Sequence, residues 1–189
     1  MSGYYKDETF TCVSYAGSDI AGNEYENCLF KDCAFAGADL SKCSFADCGF
    51  DNCDLSNVRL KQTTLSNARF TNCKMLGIVF ADCNPFLLSF SFNDCNLSYA
   101  SFYKLKVHGT KFANCHLQEA DFTETDCTSA SFDGCNLMGA MFDNTILEKA
   151  DLRTAIGFTI NPQTNRISQA MFSIYGLQGL LHQYDIVVE

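Results

Sequence analysis

The chain is poor in the features that mark several large functional classes. It holds only 2 Pro in 189 residues, which excludes a proline-rich extended spacer. Its charged fraction is 19% against 47% apolar, so it buries enough apolar surface to offset ordering entropy and is not disordered. No stretch approaches the roughly 20 apolar residues of a membrane helix. The opening MSGYYKDETF lacks the basic and then apolar segments of a secretory signal, and a soluble cytoplasmic protein is expected. Basic residues are scarce: 13 Lys and Arg face 22 Asp and Glu, for a net charge of −9. Phosphate binding needs clustered cations, so nucleic acid is not expected as a direct partner. A protein partner with a basic groove remains compatible.

Cysteine, by contrast, is plentiful, with 12 residues. None forms a C-x-x-C pair of the kind that holds a metal, and the expected metal and cofactor set is empty. His108, His116 and His182 are scattered, and no glycine-rich phosphate loop occurs. The acidic residues lie apart from one another, so paired-carboxylate catalysis has no support and no enzyme is expected.

What the chain does have is a five-residue repeat. Every fifth residue from Phe10 is apolar through Phe80; the frame slips by two residues and resumes from Phe92 to Leu152. Of the 17 Phe, 13 occupy these centres. Two residues before each centre stands mostly Cys, Ala, Val or Thr, as at Cys28, Cys33, Ala38, Cys43, Ala120 and Ala150. Residues two apart share a side of an extended chain, so both positions face inward and the other three turn a corner. A period of five with two inward residues does not fit a helix. Ten of the 12 Cys fall at the small inward position, where thiols pack as small hydrophobes.

A longer period sets the cross-section. Phe10, Phe30, Phe50 and Phe70 are twenty apart and continue as Phe92, Phe112 and Phe132, in step with Cys33, Cys53, Cys73, Cys95, Cys115 and Cys135. Four units per coil give a four-sided shaft of about seven coils, with like residues stacked on like.

The organisation read from this pattern is an N-terminal segment 1–7, the repeat region 8–156 with a frame break near 84–91, and a tail 157–189. The break contains Pro85, which ends ladder pairing. Phe86, Leu87 and Leu88 cannot all point inward: they form either a packed irregular corner or an exposed apolar contact patch. In the tail, Ser173 is a candidate N-cap for a helix over about 174–184. Ile174, Leu177, Leu180, Leu181 and Tyr184 share one face of that helix, followed by the apolar Ile186, Val187 and Val188. This segment either caps the solenoid or joins two copies, and a homodimer interface through these eight residues is the favoured expectation.

The motif seen at Ala38-Asp39-Leu40, Ala120-Asp121-Phe122 and Ala150-Asp151-Leu152 resembles that of the pentapeptide-repeat proteins. The resemblance implies an all-β fold, a right-handed quadrilateral parallel β-helix. Length, the mid-chain break, Asn96-Leu97-Ser98-Tyr99-Ala100-Ser101-Phe102 and the tail Gly179-Leu180-Leu181-His182-Gln183-Tyr184-Asp185-Ile186-Val187-Val188 are most similar to the Qnr, MfpA and microcin-immunity type. That likeness implies a homodimeric rod resembling DNA in size and charge. Such a rod binds DNA gyrase or topoisomerase IV, and the outcome is inhibition or protection from quinolones or peptide toxins. The alternative is a general interaction scaffold.

The expected partner-binding carboxylates follow the Ile20, Leu40 and Leu60 centres: Asp19, Asp39, Asp82, Asp121, Glu124 and Asp143. Phe86 and Leu87 at the break are the apolar candidates. Lys42, Arg59, Lys61 and Lys104 fall on the same side as the carboxylates, and no acidic residue occurs from 55 to 81. The surface thus reads as acidic toward both ends with a more basic band between them.

Overall fold

A computed structural model describes residues 3–18, 20–184 and 186. The chain winds as a parallel β-solenoid with four faces, each named here for its first inward centre. The Tyr5 face begins with the strand Tyr4–Lys6, the Phe10 face with Thr9–Thr11, and the Tyr15 and Ile20 faces follow. Strands pair in parallel at a register of twenty residues, Tyr5 with Tyr25 and Phe10 with Phe30. Across the break the register lengthens to twenty-two, Phe70 with Phe92.

The Phe10 face forms one continuous nine-stranded sheet ending in Met171–Phe172, so the chain makes about eight turns. At the usual strand spacing of about 4.8 Å the shaft is roughly 38 Å long. The ladder therefore reaches beyond the expected 8–156 at both ends. Tyr4–Lys6 already pairs with Glu24–Glu26, because Tyr5 is an apolar centre one unit ahead of Phe10. At the far end Asp151–Leu152 pairs with Met171–Phe172. The first part of the expected tail, through Met171–Phe172, is thus the last coil of the ladder.

The interior is built from columns of rings. Phe10, Phe30, Phe50 and Phe70 stack with centroids 4.9–5.0 Å apart and nearly parallel planes, and Phe92, Phe112 and Phe132 continue at 5.1–5.3 Å. Phe80, Phe102, Phe122 and Phe142 form a second column, at 4.9–5.2 Å. Between columns the rings meet edge to face, the geometry that the ring quadrupole favours across a corner.

The corners explain the outward residues. The residue two after the centre adopts positive φ at most corners, as at Asn27, Asp32, Lys42, Asn52 and Asn114, with Asp82 and Thr154 as exceptions. Asn, Asp and Gly tolerate that region best, which accounts for their frequency there. The same side chains link coils: Asn27, Asn52 and Asn67 each donate through Nδ2 to the carboxylate of Asp7, Asp32 or Asp47 one coil below, at 2.6–2.7 Å.

Among the described residues no Cys is joined in a disulfide, and all but Cys12 are buried. At many inward small positions a hydrogen-bond donor serves the carbonyl of a centre one corner back and one coil down. Cys53 Sγ meets Phe30 O at 3.4 Å, and Thr63 and Thr125 Oγ1 donate to Leu40 O and Phe102 O at 2.7 and 2.8 Å.

At the break, Phe86 and Leu87 are 78% and 77% exposed, while Leu88 packs partly against the core. The corner is thus packed through Leu88 and exposed through the two residues before it. Phe90, also buried, fills interior volume against Phe80 and Phe92, with centroids 5.1 Å away from each.

The single helix expected over 174–184 is instead three short turns: a 3-10 turn Ile174–Gly176, an α-helical turn Gln178–Leu181 and a 3-10 turn His182–Tyr184. Ser173 does cap, with Oγ accepting from Gly176 N at 3.1 Å. Gly179 supplies the physical reason for the interruption. A Cβ there would collide with the Phe158 carbonyl and ring, and Gly179 O accepts from Ile160 N at 2.9 Å. The backbone is pressed onto the last coil, and this docking overrides regular helix.

Candidate partner-binding surfaces

The carboxylates expected to bind a partner fall on the Ile20 face and its flanking corners, apart from Asp19, which lies outside the described residues. Asp39 is half-buried. Its Oδ1 accepts from Ser41 N at 2.9 Å and its Oδ2 lies 3.7 Å from Arg59 Nη1. The hydrogen bonds from Ser41 hold the carboxyl below its ordinary pKa against the opposing effect of burial, with Arg59 a smaller aid. Asp121 repeats this local turn, with Oδ1 accepting from Thr123 N at 2.9 Å. Glu124 is exposed, 3.5 Å from Lys104 Nζ. Asp143 is exposed and accepts from Asn144 Nδ2 at 3.2 Å. Asp82 is exposed at the end of the turn Phe80–Asp82.

Two functions are therefore mixed on one face. Asp39 and Asp121 turn part of their acceptor capacity inward to a local backbone N–H, whereas Asp82, Glu124 and Asp143 present theirs mainly to solvent. Arg59 and Lys61 stand between the acidic groups with Asp39 and Asp82 around an open groove of about 460 Å³. Phe86 and Leu87 do not join this set, because they project from the Tyr5 face.

In the tail, Ile174, Leu177, Tyr184 and Ile186 are 76%, 44%, 50% and 55% exposed. Leu180 packs partly against the core, and Leu181 is half-buried. Tyr184 Oη accepts from Gln163 Nε2 at 3.3 Å, tying the last turn to the final coil. Val187 and Val188 lie outside the described residues.

Two surfaces were not anticipated. One is an apolar series near the corner between the Tyr15 and Ile20 faces: Tyr99, Met138, Met141 and Ile156, from 51% to 67% exposed. Its signal was available, since each is a large apolar residue at an outward repeat position. The other is a groove of about 230 Å³ at the break, lined by Pro85, Phe86, Leu88, Lys104, Leu105 and Lys106. It arises from the meeting of the inserted residues with the next coil, which the one-dimensional pattern does not reveal.

Among the described residues no group of three or more His, Cys, Asp or Glu is arranged to hold a metal ion. Likewise no helix among them is long and apolar enough to cross a membrane.

Family models for pentapeptide repeats match residues 23–90, 95–137 and 120–156. No curated protein matches the sequence significantly. Among solved structures the chain is similar to a trypsin-treated form of QnrB1, a plasmid-mediated fluoroquinolone resistance protein, at 19% identity. That match covers 96% of this chain and 100% of the other, with a TM-score of 0.67. It is also similar to HetL, a pentapeptide repeat protein involved in heterocyst differentiation regulation in the cyanobacterium Nostoc sp. strain PCC 7120. Here the identity is 17%, with 92% of this chain and 88% of the other covered, and the TM-score is 0.76. At such identities the likeness is one of fold. The repeat pattern, the four-faced solenoid and the family-model matches together make this chain a member of the pentapeptide-repeat family.

Proposed function

We propose that the protein is a non-catalytic binding rod whose partner is a type II topoisomerase, DNA gyrase or topoisomerase IV, engaged at its basic DNA-binding surface. The observation that carries this reading is an eight-turn shaft with net charge −9 whose Ile20 face presents Asp39, Asp82, Asp121, Glu124 and Asp143 among the cations Arg59, Lys61 and Lys104. The fold likeness to a fluoroquinolone resistance protein supports it. Electrostatic complementarity would steer the encounter and make binding sensitive to salt. The charge is dilute compared with the mimicked ligand. About 38 Å of duplex DNA carries about 22 phosphate charges, more than twice the net charge of this chain. Occupancy of a topoisomerase in competition with DNA would therefore need contacts beyond charge. A homodimer joined through Ile174, Leu177, Tyr184, Ile186, Val187 and Val188 would supply them by doubling the rod. Modulation of the enzyme or protection from quinolones or peptide toxins would follow from occupying that surface. The test is DNA supercoiling by purified gyrase across a titration of the protein, with and without a quinolone.

A second reading, a scaffold for another protein partner, is favoured by the 78% and 77% exposure of Phe86 and Leu87. Salt separates the two readings, since an apolar contact survives high ionic strength and a charge-driven one does not.

A further inference from the structure

We infer that the groove at the frame break binds an extended acidic segment of a partner protein that carries an apolar anchor. The inference rests on the second reading, a protein partner met through Phe86, and its groove adjoins the Ile20 face only at Lys104, which pairs with Glu124.

The starting point is a missing ladder bond. On the Tyr5 face the residue before each centre donates its N–H to a carbonyl one coil below. Glu24, Ser44 and Thr64 donate to Gly3, Asn23 and Cys43 at 2.8–2.9 Å. After the break Asp126, Ile146 and Arg166 do the same to Leu105, Thr125 and Thr145 at 2.8–3.0 Å. Lys106 holds the equivalent place in the first coil after the break, and its N–H finds no acceptor among the described residues. The two inserted residues displace the strand that would have supplied one. Lys106 is exposed and lies in an isolated bridge with Asp126, so its unpaired N–H is a single backbone donor of the kind to which an extended peptide adds.

Around that donor the groove has two chemistries. Pro85, Phe86, Leu88 and Leu105 form an apolar wall, and Lys104 and Lys106 form a cationic one. Lys106 has no ion-pair partner among the described residues; Lys104 lies 3.5 Å from Glu124 and over the Tyr103 ring at 4.7 Å. The fitting ligand therefore offers a backbone carbonyl to Lys106 N–H, an apolar side chain to Phe86 and Leu88, and carboxylates to the two ammonium groups. Nucleic acid fits less well, since the wall opposite the lysines is aliphatic and phenyl and the free backbone donor favours a peptide carbonyl.

The test is fluorescence anisotropy with a labelled, N-acetylated eight-residue peptide alternating glutamate and leucine, on the full chain. A lysine-for-glutamate version and a polyuridine strand serve as comparison probes. Saturable binding of the acidic peptide is expected, weakened about tenfold by Lys106→Glu and by Phe86→Asp. Lys111→Glu on the Phe10 face should change it less than about twofold. Because Phe86 is 78% exposed, Phe86→Asp should weaken binding without lowering the melting temperature, which separates lost contact from lost fold. Amide exchange at Lys106 should slow when the acidic peptide is bound. Equal binding of the lysine peptide, preferential binding of polyuridine, or acidic-peptide binding unaffected by both groove variants would overturn the proposal. A null result in the supercoiling assay would not bear on it, nor would failure here bear on gyrase.

Discussion

Two residues before each centre, a small side chain does two things at once: it fills a narrow inward site and, where it can donate, it satisfies a buried carbonyl. Cysteine and threonine meet both requirements, alanine only the first. Thr125 is fully buried with Oγ1 2.8 Å from Phe102 O, so Thr125→Val should destabilise by about 1–2 kcal/mol. Phe112→Ala, which removes a ring from the middle of a column, should cost about 3–5 kcal/mol. Both are measured by denaturant unfolding. The thiols make a further prediction. Burial raises Cys48 to about 11 and Cys83 to about 12. Because these folded values lie above the unfolded one, their contribution to stability is complete below about pH 8.5. It is lost as pH rises through 11 to 12. Below that window a thiol reagent should titrate one cysteine in the native protein, Cys12, and all 12 after denaturation. Rapid native reaction of several thiols would contradict the packing.

At the level of elements, much of the solenoid was legible because its signal is strictly periodic. A five-residue spacing assigned inward centres such as Phe30 and Leu137 directly, and the twenty-residue Phe and Cys columns gave the four faces. The ends were less legible. Tyr5 and Phe172 are single apolar residues beside ordinary sequence, and only pairing with the neighbouring coil identifies them as part of the ladder. The tail does hold a short helix, Gln178–Leu181, but its 3.6-residue apolar pattern runs further than the helix does. What breaks the helix is a contact from outside the segment, the backbone of Gly179 against Phe158. The missing Lys106 bond was hidden for the same reason, since it depends on which coil meets the insertion. Coil-by-coil stability follows from this construction. Tyr5, Phe10, Tyr15 and Ile20 are only partly buried, whereas Phe92, Phe112 and Phe132 are at most 1% exposed. Hydrogen exchange should therefore be faster at residues 4–11 than at 92–132, and uniform protection along the rod would contradict it. Acid should act on the corners. Asp151, held low by Arg153, and Asp39 contribute stability that is present above about pH 4. It is lost as pH falls through their depressed folded values. Asp151→Asn should flatten the acid side of the stability profile.

Taken whole, the molecule is a stiff shaft with different surfaces on different sides: mixed charge on the Ile20 face, an apolar and cationic groove on the Tyr5 face, and exposed apolar residues at the C-terminal end. A shaft of this kind acts through what it presents. If the end joins two copies, Ile174→Asp combined with Ile186→Asp should halve the mass in solution without lowering the melting temperature, since both side chains are more than half exposed. An unchanged mass would make the segment a cap only. The claim that the rod occupies a topoisomerase is tested most directly by gyrase supercoiling. Titrating the protein should change supercoiling or shift the quinolone concentration that inhibits it, and the effect should fade as salt is raised. No change in either activity or drug inhibition at any protein concentration, together with no salt-sensitive binding to gyrase, would contradict it.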